Sequence, residues 1–106
     1  FFPYTWAVFG MLSDKDVEAA VAPLKSRIDH WFLCDLPGPR GLSAEALRQR
    51  LAAAGIVADK DHRIETFASP SQALAQARIE VAENDRIVVF GSFLTVSDVL
   101  ATRERT

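Results

Sequence analysis

Asp85-Arg-Ile-Val-Val-Phe-Gly-Ser-Phe-Leu-Thr-Val-Ser-Asp-Val-Leu100 passes from strand chemistry to helix chemistry across the pair Gly91-Ser92. Ile87 to Phe90 form a continuous apolar, mostly β-branched run, the composition of a strand covered on both faces. Gly91 permits a sharp turn, Ser92 can cap a helix, and Phe93, Val96, Val99 and Leu100 recur at the spacing of one helical face. A strand that feeds a helix in this way leaves free backbone N–H groups, and the positive end of a helix dipole, at its carboxyl edge. Such a corner suits a carboxylate or a phosphate.

Working outward, strand-like and helix-like segments alternate, the pattern of a mostly parallel sheet with helices on its faces. Thr5 to Phe9 read as a strand ended by Gly10. Ser13 is the expected cap of the next helix, with Asp16 three residues on, and Val17, Ala20, Val21, Leu24 and Ile28 share one helical face. Pro23 inside that pattern costs about 3 kcal/mol in a helix interior and predicts a kink or an early end. His30 to Cys34 read as the second strand, followed by a loop rich in Pro and Gly up to Gly41. Ser43 opens a helix with Leu47, Leu51 and Ala54 as its buried stripe and Gly55 as its stop. Ile64 to Phe67 form a third strand, and Ser69-Pro70 precede a helix carrying Ala73, Leu74, Ala77 and Val81. Asn84-Asp85 turn the chain into the last strand and helix, and Thr102 to Thr106 read as frayed.

The order β-α-β-α-β-α-β-α predicts an α/β fold with a sheet of about four strands, its carboxyl ends on one rim where ligands of open α/β sheets bind. With 106 residues, residues 1–106 form a single domain. A composition of 49% hydrophobic and 25% charged residues with net charge -2 is that of an ordinary globular protein and lacks a basic nucleic-acid footprint. No apolar run reaches the roughly 20 residues of a membrane span. Cys34 is the single cysteine, which excludes an internal disulfide and a Cys cluster and fits a reducing, cytoplasmic setting. The opening Phe1-Phe2-Pro3-Tyr4-Thr5-Trp6 has no initiator Met and reads as an exposed aromatic cluster, which predicts a piece of a longer polypeptide.

Several residues carry chemistry. Lys15, placed by this reading in the first turn of a helix between Asp14 and Asp16, is either a solvated surface lysine or an anchor for an anionic group at the rim. Asp59-Lys60-Asp61 repeats the tripeptide in a polar loop, where the solvated reading holds. Ser92 is a helix cap, and a capping hydroxyl can also bind a ligand. Cys34 and Arg40 have the C-x5-R spacing of a thiolate phosphatase or sulfurtransferase loop, but Pro37 and Pro39 remove two backbone donors and Asp35 repels a dianion. Cys34 equally fits a small buried hydrophobe. His30 and His62 lack metal-ligand spacing, no metal site is indicated, and no phosphate loop or nucleophilic triad is present. The chain holds no complete catalytic machine.

Ala7-Val-Phe-Gly-Met-Leu-Ser-Asp-Lys-Asp16 and Val89-Phe-Gly-Ser-Phe-Leu-Thr-Val96 together resemble two signatures of the folylpolyglutamate synthase and dihydrofolate synthase family, a branch of the Mur ligases. The first is like the family's Gly-Met-Leu-x-Asp-Lys-Asp and the second like its Gly-Ser-Phe-[Tyr/Leu]-Thr-Val. Asp29-His-Trp-Phe32 and Pro39-Arg40 fit the looser pattern between them. The resemblance spans nearly the whole chain in order and spacing, and implies the Rossmann-like three-layer C-terminal domain of that family.

It also implies an enzyme part: an ATP- and Mg²⁺-dependent ligase that joins a carboxylate of a pterin or folate substrate to the amine of glutamate. By the resemblance Lys15 pairs with one glutamate carboxylate and Ser92 with the other. Asp14 and Asp16 orient Lys15 or act between domains, and Phe93 shapes the pocket through its backbone. The family's P-loop and its Asp-Gly-Ala-His-Asn-Pro segment are absent from these residues, which predicts a partial domain lacking its first strand and helix. An exposed sheet edge or apolar patch, inactivity of the isolated chain, no cofactor of its own, and dependence on a central ATPase domain are expected to follow. The rival readings are a non-catalytic anion-binding or protein-interaction module, with neither nucleic acid nor membrane as partner, and the thiolate enzyme through Cys34 and Arg40.

Overall fold

Four parallel strands lie in the order β3-β2-β1-β4 in the computed structural model, which describes residues 3–104. The elements are β1 (Thr5–Gly10), α1 (Val17–Val21), β2 (His30–Cys34), α2 (Ala44–Ala53), β3 (Ile64–Phe67), α3 (Pro70–Glu80), β4 (Arg86–Gly91) and α4 (Phe93–Glu104). A short 3₁₀ turn over Ala22–Leu24 follows α1, so Pro23 ends the helix early, as its missing N–H and fixed φ require.

The two central strands explain their own composition. Every residue of β1 and β2 is buried, and side chains alternate between two apolar layers. Ala7, Phe9, Trp31 and Leu33 face Val17 and Val21 of α1 and Leu47 and Leu51 of α2. Trp6, Val8, Phe32 and Cys34 face Ala73 and Ala77 of α3, beside which α4 packs. The result is a three-layer sandwich of helices, sheet and helices.

Several sequence expectations change. β4 is an edge strand paired on one side with β1, and its residues are exposed or half-buried, so the strands covered on both faces are β1 and β2 rather than β4. The α4 stripe points outward: Phe93 is 81% exposed and Val96 and Leu100 are exposed too, while Thr95 is fully buried. α4 continues through Glu104 where fraying was expected, and Arg105 and Thr106 lie outside the described residues. In the opening aromatic cluster, Tyr4 is exposed but Trp6 is buried and donates Nε1–H to Asp85 at 3.0 Å; Phe1 and Phe2 lie outside the described residues. The expected exposure of apolar surface is met along β4 and α4, at Val88, Phe93, Leu94, Val96 and Leu100.

Candidate functional site at the carboxyl edge

β1 runs outward to β2 and β3 on one side and has β4 on the other, so the chain reverses its direction of winding between β1 and β4. Ligands of open α/β sheets bind at such a switch point, outside the carboxyl ends of the strands. Gly10 and Gly91, the last residues of the two strands, are register partners there. A Cβ on Gly91 would stand 1.9 Å from the Gly10 carbonyl oxygen, and Gly91 has φ +121°, so only glycine fits. The two strand tips therefore abut, and the loops that leave them start side by side.

From the β4 tip the chain enters α4 directly. Ser92 Oγ accepts from Leu94 N–H at 3.0 Å and Thr95 N–H at 3.4 Å, which is the expected cap. The hydroxyl still has its own proton to donate outward. Thr95 Oγ1 donates to the Gly10 carbonyl at 3.0 Å and so fastens the start of α4 to the tip of β1. Phe93 presents an exposed ring beside Ser92.

From the β1 tip the chain makes a turn before its helix. Asp16, not Ser13, is the N-cap of α1, accepting from Ala19 N–H at 3.1 Å. Ser13 is drawn elsewhere because its N–H donates to the Arg40 carbonyl at 2.6 Å, and Lys15 N–H turns back to Leu12 O at 3.3 Å. Lys15 consequently precedes the helix instead of lying in its first turn, which removes the dipole penalty that the sequence suggested. Lys15 is exposed, and among the described residues no carboxylate forms an ion pair with it. The Asp14 carboxylate pairs with the Arg40 guanidinium, whose hydrogen bond holds the Asp14 pKa below its ordinary value. Arg40, which the sequence reading set beside Cys34 in a thiolate loop, and Thr95, to which it gave no role, are instead the residues that make contacts at this corner. Their partners lie 26 and 85 residues away, and only the sheet order brings them close.

The site is an open corner rather than a closed cavity. A cleft of about 520 Å³ lies farther along the same rim, between the loops after β2 and β3 and the α4 residues Leu94, Ser97 and Asp98. It includes neither Lys15 nor Ser92.

The remaining candidates sit apart from this corner. Cys34 is fully buried at the end of β2, and burial pushes its thiol up to about 12, while Arg40 is occupied by Asp14. The thiolate reading therefore fails: a nucleophile needs a depressed pKa and access. His30 is buried at the amino end of the sheet, its Nδ1 accepting from Arg63 N–H at 3.0 Å. His62 contacts Asp59 in the loop before β3. Among the described residues no group of three or more His, Cys, Asp or Glu side chains comes together as a metal site.

Comparison with known proteins gives consistent relatives. Residues 3–93 match the family model for the Mur ligase, glutamate ligase domain. The dihydrofolate synthase/folylpolyglutamate synthase of Escherichia coli (strain K12) is 38% identical over 94 residues, covering 89% of this chain and 20% of that protein. The crystal structure of bifunctional folylpolyglutamate synthase/dihydrofolate synthase from Yersinia pestis, complexed with AMPPNP and Mn ion, superposes with a TM-score of 0.84 at 36% identity, covering 96% of this chain and 22% of that one. A structure of such an enzyme with Mn, AMPPNP and L-glutamate bound has a TM-score of 0.80 at 33% identity, covering 96% and 23%. The chain thus spans about a fifth of the length of the curated relatives it matches.

Proposed function

The chain belongs to the Mur ligase family as its glutamate ligase domain, and from that premise we propose that it serves as the glutamate-side domain of an ATP-dependent amide ligase. The ligase adds L-glutamate to dihydropteroate, to folates, or to both. One observation carries the reading: Gly10 and Gly91 are register partners, so the Lys15 loop and the Ser92 cap leave the carboxyl edge at adjacent strand tips, at the switch point of the sheet.

The chemistry of the corner suits a small dicarboxylic amino acid. The Lys15 ammonium is a compact, mobile cation that neutralises one carboxylate. The Ser92 hydroxyl, backed by the N-terminus of the 12-residue helix α4, donates to the other. Asp16 fixes the point where the Lys15 loop enters α1, and Phe93 shapes the pocket beside Ser92 through its backbone. Held at both carboxylates, the amino acid has its amine directed at an activated carboxyl group presented by the rest of the enzyme. Orientation of this kind contributes roughly 7 to 11 kcal/mol in favourable cases. Because the corner is open, closure of the central domain against this rim completes the site and excludes water.

The proposed reaction uses ATP and Mg²⁺. The sequence contains no glycine-rich phosphate loop, and the described residues bring no carboxylate or histidine group together for a metal. The proposal therefore assigns both, with the pterin-side pocket, to the remainder of the enzyme. A net charge of -2, and no helix long and apolar enough to cross a membrane among the described residues, accord with a cytoplasmic ligase that acts on small molecules.

The test is steady-state kinetics of the complete ligase. Lys15→Ala and Ser92→Ala are expected to raise the KM for glutamate at least about tenfold, the effect of losing one charge-assisted hydrogen bond. The KM for ATP is expected to stay within about twofold. Unchanged glutamate KM and turnover in both variants would refute the proposal. The 106-residue chain alone is expected to show no ATP hydrolysis above background.

A further inference from the structure

The loop that carries Lys15 is held from outside by a second loop. Leu42 N–H donates to the Met11 carbonyl at 3.1 Å, Ser13 N–H donates to the Arg40 carbonyl at 2.6 Å, and Leu12 and Gly41 form an antiparallel bridge. The second loop is closed on itself, since Leu36 is buried and its N–H donates to the Leu42 carbonyl at 3.2 Å. A Cβ on Gly41 would stand 2.2 Å from the Leu36 carbonyl oxygen, so the crossing requires glycine. These main-chain contacts fix the shape of the Lys15 loop without help from any charged side chain.

The Arg40–Asp14 pair therefore calls for another explanation. Its side chains are 63% and 50% exposed, and an exposed ion pair contributes about 0 to 1 kcal/mol to stability. Asp14 is, however, the immediate neighbour of Lys15. An unpaired carboxylate there competes with any incoming carboxylate for the Lys15 ammonium, and a tethered competitor acts at high effective concentration. Arg40 takes up that carboxylate instead, through one charge-assisted contact from Nη2 to the Asp14 Oδ2.

We propose that Arg40 is a positioning residue that keeps Lys15 available, by occupying the Asp14 carboxylate that would otherwise close on the lysine. The inference rests on the reading of Lys15 as the glutamate anchor and adds a device that sets the affinity of that site.

The experiment compares variants of the complete ligase in one glutamate titration, with melting temperatures measured alongside. Arg40→Ala is expected to raise the glutamate KM about five- to tenfold with kcat within about twofold, the signature of lost substrate binding. Its melting temperature stays within about 2 °C of the parent, because the pair is exposed. Adding Asp14→Asn to Arg40→Ala removes the competitor and returns the KM to within about twofold of the parent, and Arg40→Lys retains most of the affinity. A structural role for Arg40 predicts no rescue by Asp14→Asn, so absence of rescue overturns the inference. An Arg40→Ala enzyme with parental KM, beside a Lys15→Ala enzyme with raised KM, overturns it while leaving the proposed function standing. If Lys15→Ala has no effect, both fall together.

Discussion

Thr95 Oγ1 donates a hydrogen bond of 3.0 Å to the carbonyl of Gly10, joining the first turn of α4 to the tip of β1 across 85 residues of sequence. Thr95 is fully buried, whereas its neighbours Phe93, Leu94 and Val96 in the same turn are exposed. Thr95→Val keeps the volume but leaves the Gly10 carbonyl without this donor, which costs about 1 to 3 kcal/mol. Urea unfolding is expected to show that loss for Thr95→Val and a smaller one for Thr95→Ser, which keeps the hydroxyl. Equal stabilities of Thr95→Val and the parent would remove this bond as the link between the two loops.

The other half of the junction is backbone on backbone. Because a Cβ on Gly91 would collide with the Gly10 carbonyl oxygen, Gly91→Ala has to part β4 from β1 at the carboxyl edge. Gly38 supplies the control: its φ is +89° but no atom lies within 4 Å of the position a Cβ would take. Gly38→Ala thus carries only the left-handed backbone penalty of about 1 to 2 kcal/mol. Gly91→Ala is expected to be far worse, seen as loss of cooperative unfolding or of soluble protein. Similar unfolding midpoints for the two variants would contradict the close approach of the strand tips.

Where local pattern determines structure, the sequence was a sufficient guide. His30 to Cys34 and Ile64 to Phe67 are strands with those bounds, because each short run rich in aromatic and β-branched residues lies between segments of turn-forming residues. Ser43 and Ser69 are helix caps for the same local reason. What was not legible depends on strand order. β4 has the composition of an interior strand, and nothing in Ile87 to Phe90 says that one of its sides has no neighbour. Ser13 and Asp16 are both good caps, and the choice between them is made by the Arg40 carbonyl, which takes the Ser13 N–H. The Lys15 and Ser92 loops were legible as motifs, whereas the Arg40 and Thr95 contacts that fix them were not, since neither type nor spacing marks a residue whose partner comes from another crossover.

His30 makes acid sensitivity a property of the opposite end of the sheet. Burial holds its pKa below the ordinary value of 6.5; Asp29 and Asp85 nearby oppose that shift, and Arg63 and His62 reinforce it. Its Nδ1 accepts from Arg63 N–H, a bond that only the neutral ring can make. With the folded pKa below the unfolded one, the unfolded chain takes up the proton first. The stabilisation is complete above the unfolded value and is lost as pH falls below about 6.5 toward the folded pKa. Asp14, Asp59, Glu80 and Asp85 are held below ordinary values of 3.8 to 4.5, so their losses begin only at lower pH. Urea midpoints are expected to be level from pH 8 to 7 and to fall from pH 6.5 to 5. A His30→Gln variant, though less stable, should lose that slope, and a slope that survives the substitution would assign it to another group.

Cys34 gives the complementary behaviour in alkali. It packs with Trp6, Val8, Phe32, Ala73 and Ala77, and burial raises its thiol from 9.0 to about 12. The thiol is therefore neutral and shielded at neutral pH, and only unfolding exposes a thiolate former. A disulfide reagent at pH 8 is expected to leave the native protein unlabelled and to label one thiol per chain in denaturing urea. The folded pKa lies above the unfolded one, so stability is complete below pH 9 and declines as pH rises from 9 toward 12, a decline that Cys34→Ala removes. Rapid labelling of the native protein at pH 7 would restore the thiolate chemistry that the Cys34 and Arg40 spacing suggested, and would require β2 to open at its carboxyl end.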